Sequence, residues 1–433
     1  MSDILIIGIP ILTFVVLLVL RVQIAIVFAV SGLVGVTLMR GFDSGVAALG
    51  LAVYSESSNY ILLSIPLFIL MGNFLFHSGI SNLLYEFAFT WSGGVRGSLA
   101  YATIIACTAF GACSGSSMAA VGTIGPVALR EMEKYNYKSS LAYGCITSAS
   151  SLGIMIPPSL AFIVYGYICS VPIGPLFIAG IFPGILTALM LMGLVFYMVN
   201  RNPSLAPKSE LRFTFKEKLV SMSKIWWVVV LFVVIVGGLM AGIFTATEAA
   251  GAGAFITFLM LLFTRKLSWK VFRATFVDTA RTSCMIFTII IGAKVFNTFL
   301  GLSGIPQTFA EYMTGLPVSR HLVLAIILFL YIPLGCFIDS VPMFFLTLPV
   351  VFPVIDKLGF DPLLFGVLVT LTAQISLLTP PVGMNVYVLS GVSGRPLTEC
   401  FAGSTPFLIP MCLALVLLVL FPQITLFLPA LMK

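Results

Sequence analysis

The sequence predicts an all-α polytopic membrane protein made of two inverted repeats, each with a re-entrant hairpin and a proline-broken helix. Three observations carry this. First, 60% of the 433 residues are hydrophobic and only 9% charged, with a mean hydropathy of +1.15. Soluble domains carry roughly 25% charged residues, so a water-facing globule is excluded, as are disordered, collagen-like and disulfide-stapled chains. An outer-membrane barrel would alternate polar and apolar residues in segments of about 10, and that alternation is absent. Second, short apolar arms occur in pairs around polar tips, each pair followed by a double proline. Third, this arrangement recurs at a fixed offset along the chain.

In chain order, apolar segments at 4–20 and 24–39 read as the first two crossings. No small-residue cleavage site follows the first, so it is expected to be retained. After the segment at 61–76 come two short arms, 97–113 and 117–129, around Gly111-Ala112-Cys113-Ser114-Gly115-Ser116-Ser117. Non-helical backbone at membrane depth persists only inside protein or along a wet cavity, so these arms read as a re-entrant hairpin over 97–130. The segment 139–168 is broken at Gly153-Ile154-Met155-Ile156-Pro157-Pro158-Ser159. Proline lacks the amide donor and blocks helix continuation, and it drives the preceding residue away from helical angles. An unwound stretch at mid-membrane is the expected result. Segments at 176–199, 225–243, 248–264 and 280–300 follow as crossings. A second hairpin over 321–356 surrounds Cys336-Phe337-Ile338-Asp339-Ser340-Val341-Pro342. A second broken segment, 363–392, contains Ser376-Leu377-Leu378-Thr379-Pro380-Pro381-Val382-Gly383, and 404–430 closes the chain. Segments near 81–92 and 306–316 read as flat amphipathic arms.

At an offset of 223, Cys113 falls on Cys336, Ser117 on Ser340, Thr147 on Thr370 and Ala179-Gly180 on Ala402-Gly403. Four of the six prolines in 111–183 (Pro126, Pro157, Pro158 and Pro183) fall on prolines, where chance gives less than one. With a two-residue slip, Ser78-Gly79-Ile80 falls on Ser303-Gly304-Ile305. The chain is therefore expected to divide into repeats at 1–200 and 225–433, joined by a basic linker at 201–224.

Of the 22 Lys and Arg, six lie between Arg201 and Lys224 and four in Arg265–Arg273. Cytoplasmic loops are the basic ones, so both stretches are expected in the cytoplasm. Each repeat then crosses an odd number of times and the repeats are inverted. The first hairpin would open from the cytoplasm and the second from outside. The stretch 40–60, with Arg40, Asp43 and Glu56, would lie outside, as would the N-terminus. Inverted repeats, broken helices and a midplane site are the marks of secondary transporters.

No GxxxxGK[ST] motif, metal-ligand cluster or hydrolase elbow is present, so no enzyme activity is expected. The positive charge is a topology signal, and nucleic acid is not an expected partner. The eight Cys form no CxxC pair and read as small buried side chains. The first tip is rich in hydroxyls, at Ser114, Ser116 and Ser117. It reads either as close helix packing or as a site of hydroxyls and carbonyls for a hard cation such as Na⁺, completed near Gly153, Ile156 and Pro157. Asp339 stands where Ser116 stands in the first repeat, with Ser376, Thr379 and Pro380 against Gly153, Ile156 and Pro157. A second cation site follows. Ionisable residues within the membrane are functional candidates by default. Glu248 reads as a helix cap or a site residue. Lys294 reads as a counter-charge to a substrate carboxylate or as a snorkelling side chain. Asp278 and Arg281 are spaced to pair with each other. Trp226, Trp227 and Trp269 read as interface anchors.

Together the hairpin Gly111–Pro126, the Gly153–Pro158 break, Ala246-Thr247-Glu248-Ala249-Ala250 and Thr379-Pro380-Pro381-Val382-Gly383 resemble the large membrane (M) subunit of tripartite ATP-independent periplasmic (TRAP) transporters, the DctM-like family. The resemblance covers essentially the whole chain. It departs at Ala246, where the family often has Pro. It implies an elevator-type fold of the ion-transporter superfamily, Na⁺ coupling, and residence in the bacterial inner membrane. It also implies a small four-helix membrane subunit as partner. No fused four-helix region is present here, so that subunit is expected to be a separate polypeptide. A periplasmic binding protein would deliver an organic acid such as a C4-dicarboxylate or sialic acid. Carried onto this chain, sodium site 1 comprises Ser114, Ser116, Gly153, Ile156 and Pro157, and sodium site 2 comprises Asp339, Ser340, Thr379 and Pro380. Ser117, Ser159, Gly383, Asn385, Glu248 and Lys294 are expected to line the substrate cavity. The competing expectation is a stand-alone carboxylate or ion exchanger that needs no binding protein.

Overall fold

The computed structural model describes residues 3–207 and 213–432. Lys208 and Arg212, counted above in the basic linker, lie outside the described residues. The described chain is helical from end to end. Six helices are long and apolar enough to cross a membrane, or eight if each of two bent pairs counts as one crossing.

The first half runs α1 (Asp3–Val19), α2 (Ile24–Arg40), α3 (Phe42–Ser57), α4 (Ser64–His77) and α5 (Ile80–Ser92). It continues through α6 (Ser98–Ser114), α7 (Ser117–Lys134), α8 (Ser139–Ser151), α9 (Leu160–Cys169) and α10 (Ile173–Arg201). After α11 (Phe215–Lys224) come α12 (Trp226–Phe232), a π turn at Val233–Gly237, α13 (Gly238–Met240), α14 (Ala246–Phe263), α15 (Trp269–Ser303) and α16 (Ile305–Gly315). The second half then gives α17 (Arg320–Phe337), α18 (Ser340–Lys357), α19 (Pro362–Ser376), α20 (Met384–Ser393), α21 (Leu397–Ser404), α22 (Leu408–Leu420) and the short α23 (Gln423–Leu426). The expected arms and breaks stand within a few residues of these bounds. Two helices escaped the sequence reading: α3, in a stretch read as an outer loop, and α11, within the basic linker.

Local chemistry sets the ends. At both Ser-Gly-Ile sites the same turn forms. Ser78 Oγ donates to the Leu75 carbonyl (2.6 Å) and accepts from Ile80 N (3.2 Å); Ser303 Oγ donates to Leu300 (2.8 Å) and accepts from Ile305 N (3.3 Å). Gly79 and Gly304 take φ of +68° and +69°, angles that cost other residues roughly 1–2 kcal/mol. At the first site the chain turns by 72° between α4 and α5. With 13 and 11 residues, α5 and α16 are too short to cross. Thr214 and Glu217 form a capping box at the start of α11. The Thr214 amide and hydroxyl, both donating to the Glu217 carboxylate, hold its pKa below the ordinary glutamate value.

Close packing joins the halves. A Cβ on Gly32 of α2 would meet the Val295 backbone of α15 at 2.6 Å, and Gly292 of α15 sits against the Ala25 carbonyl of α2. A Cβ on Gly253 of α14 would lie 2.5 Å from the Met71 sulfur of α4. Small residues let helices approach where lipid offers no hydrophobic push. Around these contacts α1–α4 gather with α12–α15, while α6–α10 gather with α17–α22.

Candidate functional site: two hairpin tips on two proline breaks

The first tip turns at Gly115, with φ +64°. Ser116 caps α7, its Oγ accepting from Ala119 N at 3.3 Å. Ser114 is buried and its hydroxyl donates to the Ser116 carbonyl at 3.4 Å. The facing break leaves α8 through a 3-10 turn at Leu152–Ile154, passes the cis Pro157-Pro158 bond and re-enters helix at Ser159. Ser159 Oγ accepts from Phe162 N at 3.2 Å and donates to the Ile154 carbonyl. Tip and break touch: a Cβ on Gly111 would lie 2.6 Å from Gly153 Cα, and one on Gly115 would lie 2.9 Å from the Pro158 carbonyl oxygen. These approaches set Gly111 and Gly115 of the tip against Gly153 and Pro158 of the break, whose Ile156 and Pro157 carbonyls have no backbone donor among the described residues.

The second tip repeats the plan with a charge. Asp339 caps α18, its Oδ1 accepting from Ser340 N (2.8 Å) and Ser340 Oγ (3.3 Å). Thr379 Oγ1 donates to the Ile375 carbonyl at 2.8 Å. The break contains the cis Pro380-Pro381 bond and ends at Gly383, φ +52°, which caps α20. Cys336 of α17 lies 3.5 Å from the Pro380 carbonyl, and Gly335 leaves room for Ser376 Oγ. Asp339, Ser340, Thr379 and Pro380 therefore belong to the tip and break of one unit.

The six residues expected to line a cavity take different places. Ser117 donates to Asn385 Oδ1 (3.0 Å), and Asn385 Nδ2 donates to the Thr147 carbonyl (3.1 Å). Both side chains are buried and tie α7, α8 and α20 together. Ser159 and Gly383 sit within the two breaks. Glu248 forms a capping box with Thr245 at the start of α14, so its capping duty is met in full. Lys294 lies 3.4 Å from Glu56. No hydrogen bond or ion pair among the described residues joins Glu248 or Lys294 to the Ser117–Asn385 pair.

Three other expectations need correction. Glu56, read as part of an outer loop, is 1% exposed at the end of α3 and accepts from the Tyr167 hydroxyl. Asp278 and Arg281 of α15, though spaced to pair, form no ion pair among the described residues. Cys284 and Cys412 are exposed, unlike the other six, because they lie on outward faces of their helices.

Residues 11–424 match the tripartite ATP-independent periplasmic transporter, DctM component. The chain belongs to this family. It is 34% identical to the C4-dicarboxylate TRAP transporter large permease protein DctM of Pseudomonas aeruginosa, covering 91% of this chain and 92% of that one. It is 32% identical to the sialic acid TRAP transporter large permease protein SiaM of Vibrio cholerae, covering 86% and 87%. Among solved structures, the Alcanivorax borkumensis YdaH transporter matches with a TM-score of 0.62 at 13% identity, over 88% of this chain and 89% of that one. That last likeness concerns fold alone. A TRAP large permease subunit is a multi-pass membrane transport protein and not an enzyme.

Proposed function

We propose that this TRAP large permease subunit carries out Na⁺-coupled secondary uptake of an organic acid across the bacterial inner membrane. In this reading a periplasmic binding protein delivers the acid, a C4-dicarboxylate or sialic acid being the kinds named for its relatives. A small four-helix membrane subunit completes the permease. The observation that carries the reading is the contact of each hairpin tip with a proline break, the Ile156 and Pro157 carbonyls of the first break accepting no backbone hydrogen bond among the described residues. Such carbonyls are costly inside a membrane unless they line a site, and several neutral oxygens suit Na⁺. Ser114, Ser116, Gly153, Ile156 and Pro157 would hold one ion. Asp339, Ser340, Thr379 and Pro380 would hold a second, the Asp339 carboxylate offsetting its charge.

The two halves are proposed to be inverted repeats working by an elevator mechanism. Support comes from packing that recurs with roles exchanged: α7 of the first half packs on α20, and α18 of the second packs on α9. Likewise α2 packs on α15, while α14 packs on α4. A two-fold relation generates such reciprocal contacts. The gathering of hairpins and broken helices apart from α1–α4 and α12–α15 fits a moving body and a fixed one.

Uptake of radiolabelled organic acids into proteoliposomes tests this. The chain is reconstituted with its small subunit, with and without a Na⁺ gradient and the binding protein. Uptake needing both, and lost in Ser116→Ala or Asp339→Ala with the fold intact, is the expected result. Uptake without a binding protein would favour a stand-alone exchanger. Uptake indifferent to Na⁺ would remove both ion sites.

A further inference from the structure

A cavity of about 390 Å³ opens between α3, α9, α15 and α18, lined by Glu56, Tyr167, Ser170, Lys294, Asn297 and Phe345. It belongs to neither hairpin tip. Its chemistry is uneven. The Glu56 carboxylate is buried and well supplied: Oε2 accepts from Tyr167, and Oε1 accepts from Ser55 at 3.2 Å and faces Lys294 Nζ at 3.4 Å. Lys294 is half-exposed and its ammonium has three donors, of which Glu56 uses one. Asn297 stands three residues further along α15, on the same face. Its Oδ1 is buried and has no donor. The cavity thus offers spare cationic N–H groups and one empty neutral acceptor, beside a fixed negative charge.

We propose that this cavity is a binding site for an organic acid with a single carboxylate and a neighbouring hydroxyl or N–H donor. The carboxylate takes the free N–H bonds of Lys294, and the donor fills Asn297 Oδ1. Glu56 sets the charge limit. A second carboxylate in so small a space would face a buried like charge with little water between them, which is unfavourable. A hydroxylated monocarboxylate or a zwitterion meets no such opposition. The inference rests on the organic-acid reading above and narrows the acid; dicarboxylates are disfavoured at this site.

The test is binding of gluconate and of succinate to the purified full chain in lipid nanodiscs, read by calorimetry. Gluconate binding is expected, and binding about tenfold weaker in Asn297→Leu, which keeps the ion pair intact. Lys294→Gln should abolish it. Glu56→Gln, which keeps an acceptor for Tyr167, should raise succinate affinity about tenfold. Absence of gluconate binding, succinate binding as tight as gluconate in the unaltered chain, or full affinity in Asn297→Leu each overturn the proposal. Proteoliposome uptake run in parallel separates the two readings. Binding without Na⁺-driven uptake overturns the transport reading and leaves the cavity; succinate uptake untouched by Asn297→Leu, without gluconate binding, overturns the cavity and leaves transport.

Discussion

Ser116 and Asp339 hold equivalent places and the same local duty. Each caps the second arm of its hairpin, and both residue types are favoured caps. Capping leaves the Ser116 hydroxyl oxygen a second lone pair, and leaves Asp339 its Oδ2, available for a cation. The two duties separate by substitution. Ser116→Ala removes both and should cost about 0.5–2 kcal/mol in thermal unfolding together with Na⁺ dependence of uptake. Ser116→Asp keeps the cap and should restore the unfolding midpoint. The Ser117–Asn385–Thr147 link is a different kind of polar contact, with no spare capacity. Asn385→Leu strands the buried Ser117 hydroxyl, at about 1–3 kcal/mol, and removes the added bond to the Thr147 carbonyl of α8, and should lower the unfolding midpoint in detergent more than Ser116→Ala does. These residues were visible in the sequence as polar groups in apolar surroundings. Their partnership was not, because Ser117 and Asn385 lie 268 positions apart and nothing in composition pairs them. Glu56 was misread for a related reason. It sits in the polar run Ser55-Glu56-Ser57-Ser58-Asn59, which resembles a loop, and only packing by α9 and α15 buries it.

At the scale of elements, proline and glycine marked the path well. Double prolines give breaks because they withdraw amide donors, whatever surrounds them, so both breaks fell where expected. The Ser-Gly-Ile turns were legible as a repeat, and their hydrogen bonds explain the recurrence. The helix α3 was not legible: its Gly, Ser and Asp content weakens local propensity, and tertiary contact with α2 and α15 supplies what propensity lacks. The glycines now divide into two classes that a single substitution can tell apart. Gly304 has open space around its Cβ position but a left-handed φ. Gly304→Ala should cost about 1 kcal/mol of stability and leave the apparent Na⁺ affinity unchanged. Gly111 has helical angles but no space. Gly111→Ala would push the first tip off its break and should weaken apparent Na⁺ affinity at least about tenfold in uptake assays, with little change in α6 itself.

For the whole molecule, the reciprocal packing of halves is the feature that an elevator would exploit, and it makes the Glu56–Tyr167 bond informative. Glu56 belongs to α3, among the helices proposed as fixed, and Tyr167 to α9, among those proposed to move. Sliding one body past the other breaks that bond, while Lys294 stays with Glu56. Hydrogen bonds to charged groups contribute about 1.5–3 kcal/mol. Tyr167→Phe should therefore shift the balance between inward and outward states by roughly tenfold or more away from the state seen here. Solvent accessibility of single cysteines placed on α9 and α18, compared with and without the substitution, measures this. Unchanged accessibility would mean that α3 and α9 travel together.

The tie between Ser117 and Asn385 also bears on how the chain is made. Ribosomes work at roughly 5–20 residues per second, so the 268 residues between these partners take about 15–50 s to synthesise. Throughout that interval the first hairpin waits in the bilayer without the helix that completes its seat. Nascent chains halted shortly before residue 385 should accordingly be the stage most open to quality-control proteolysis. An insertase that shelters polar segments is needed longest by the half that is born first.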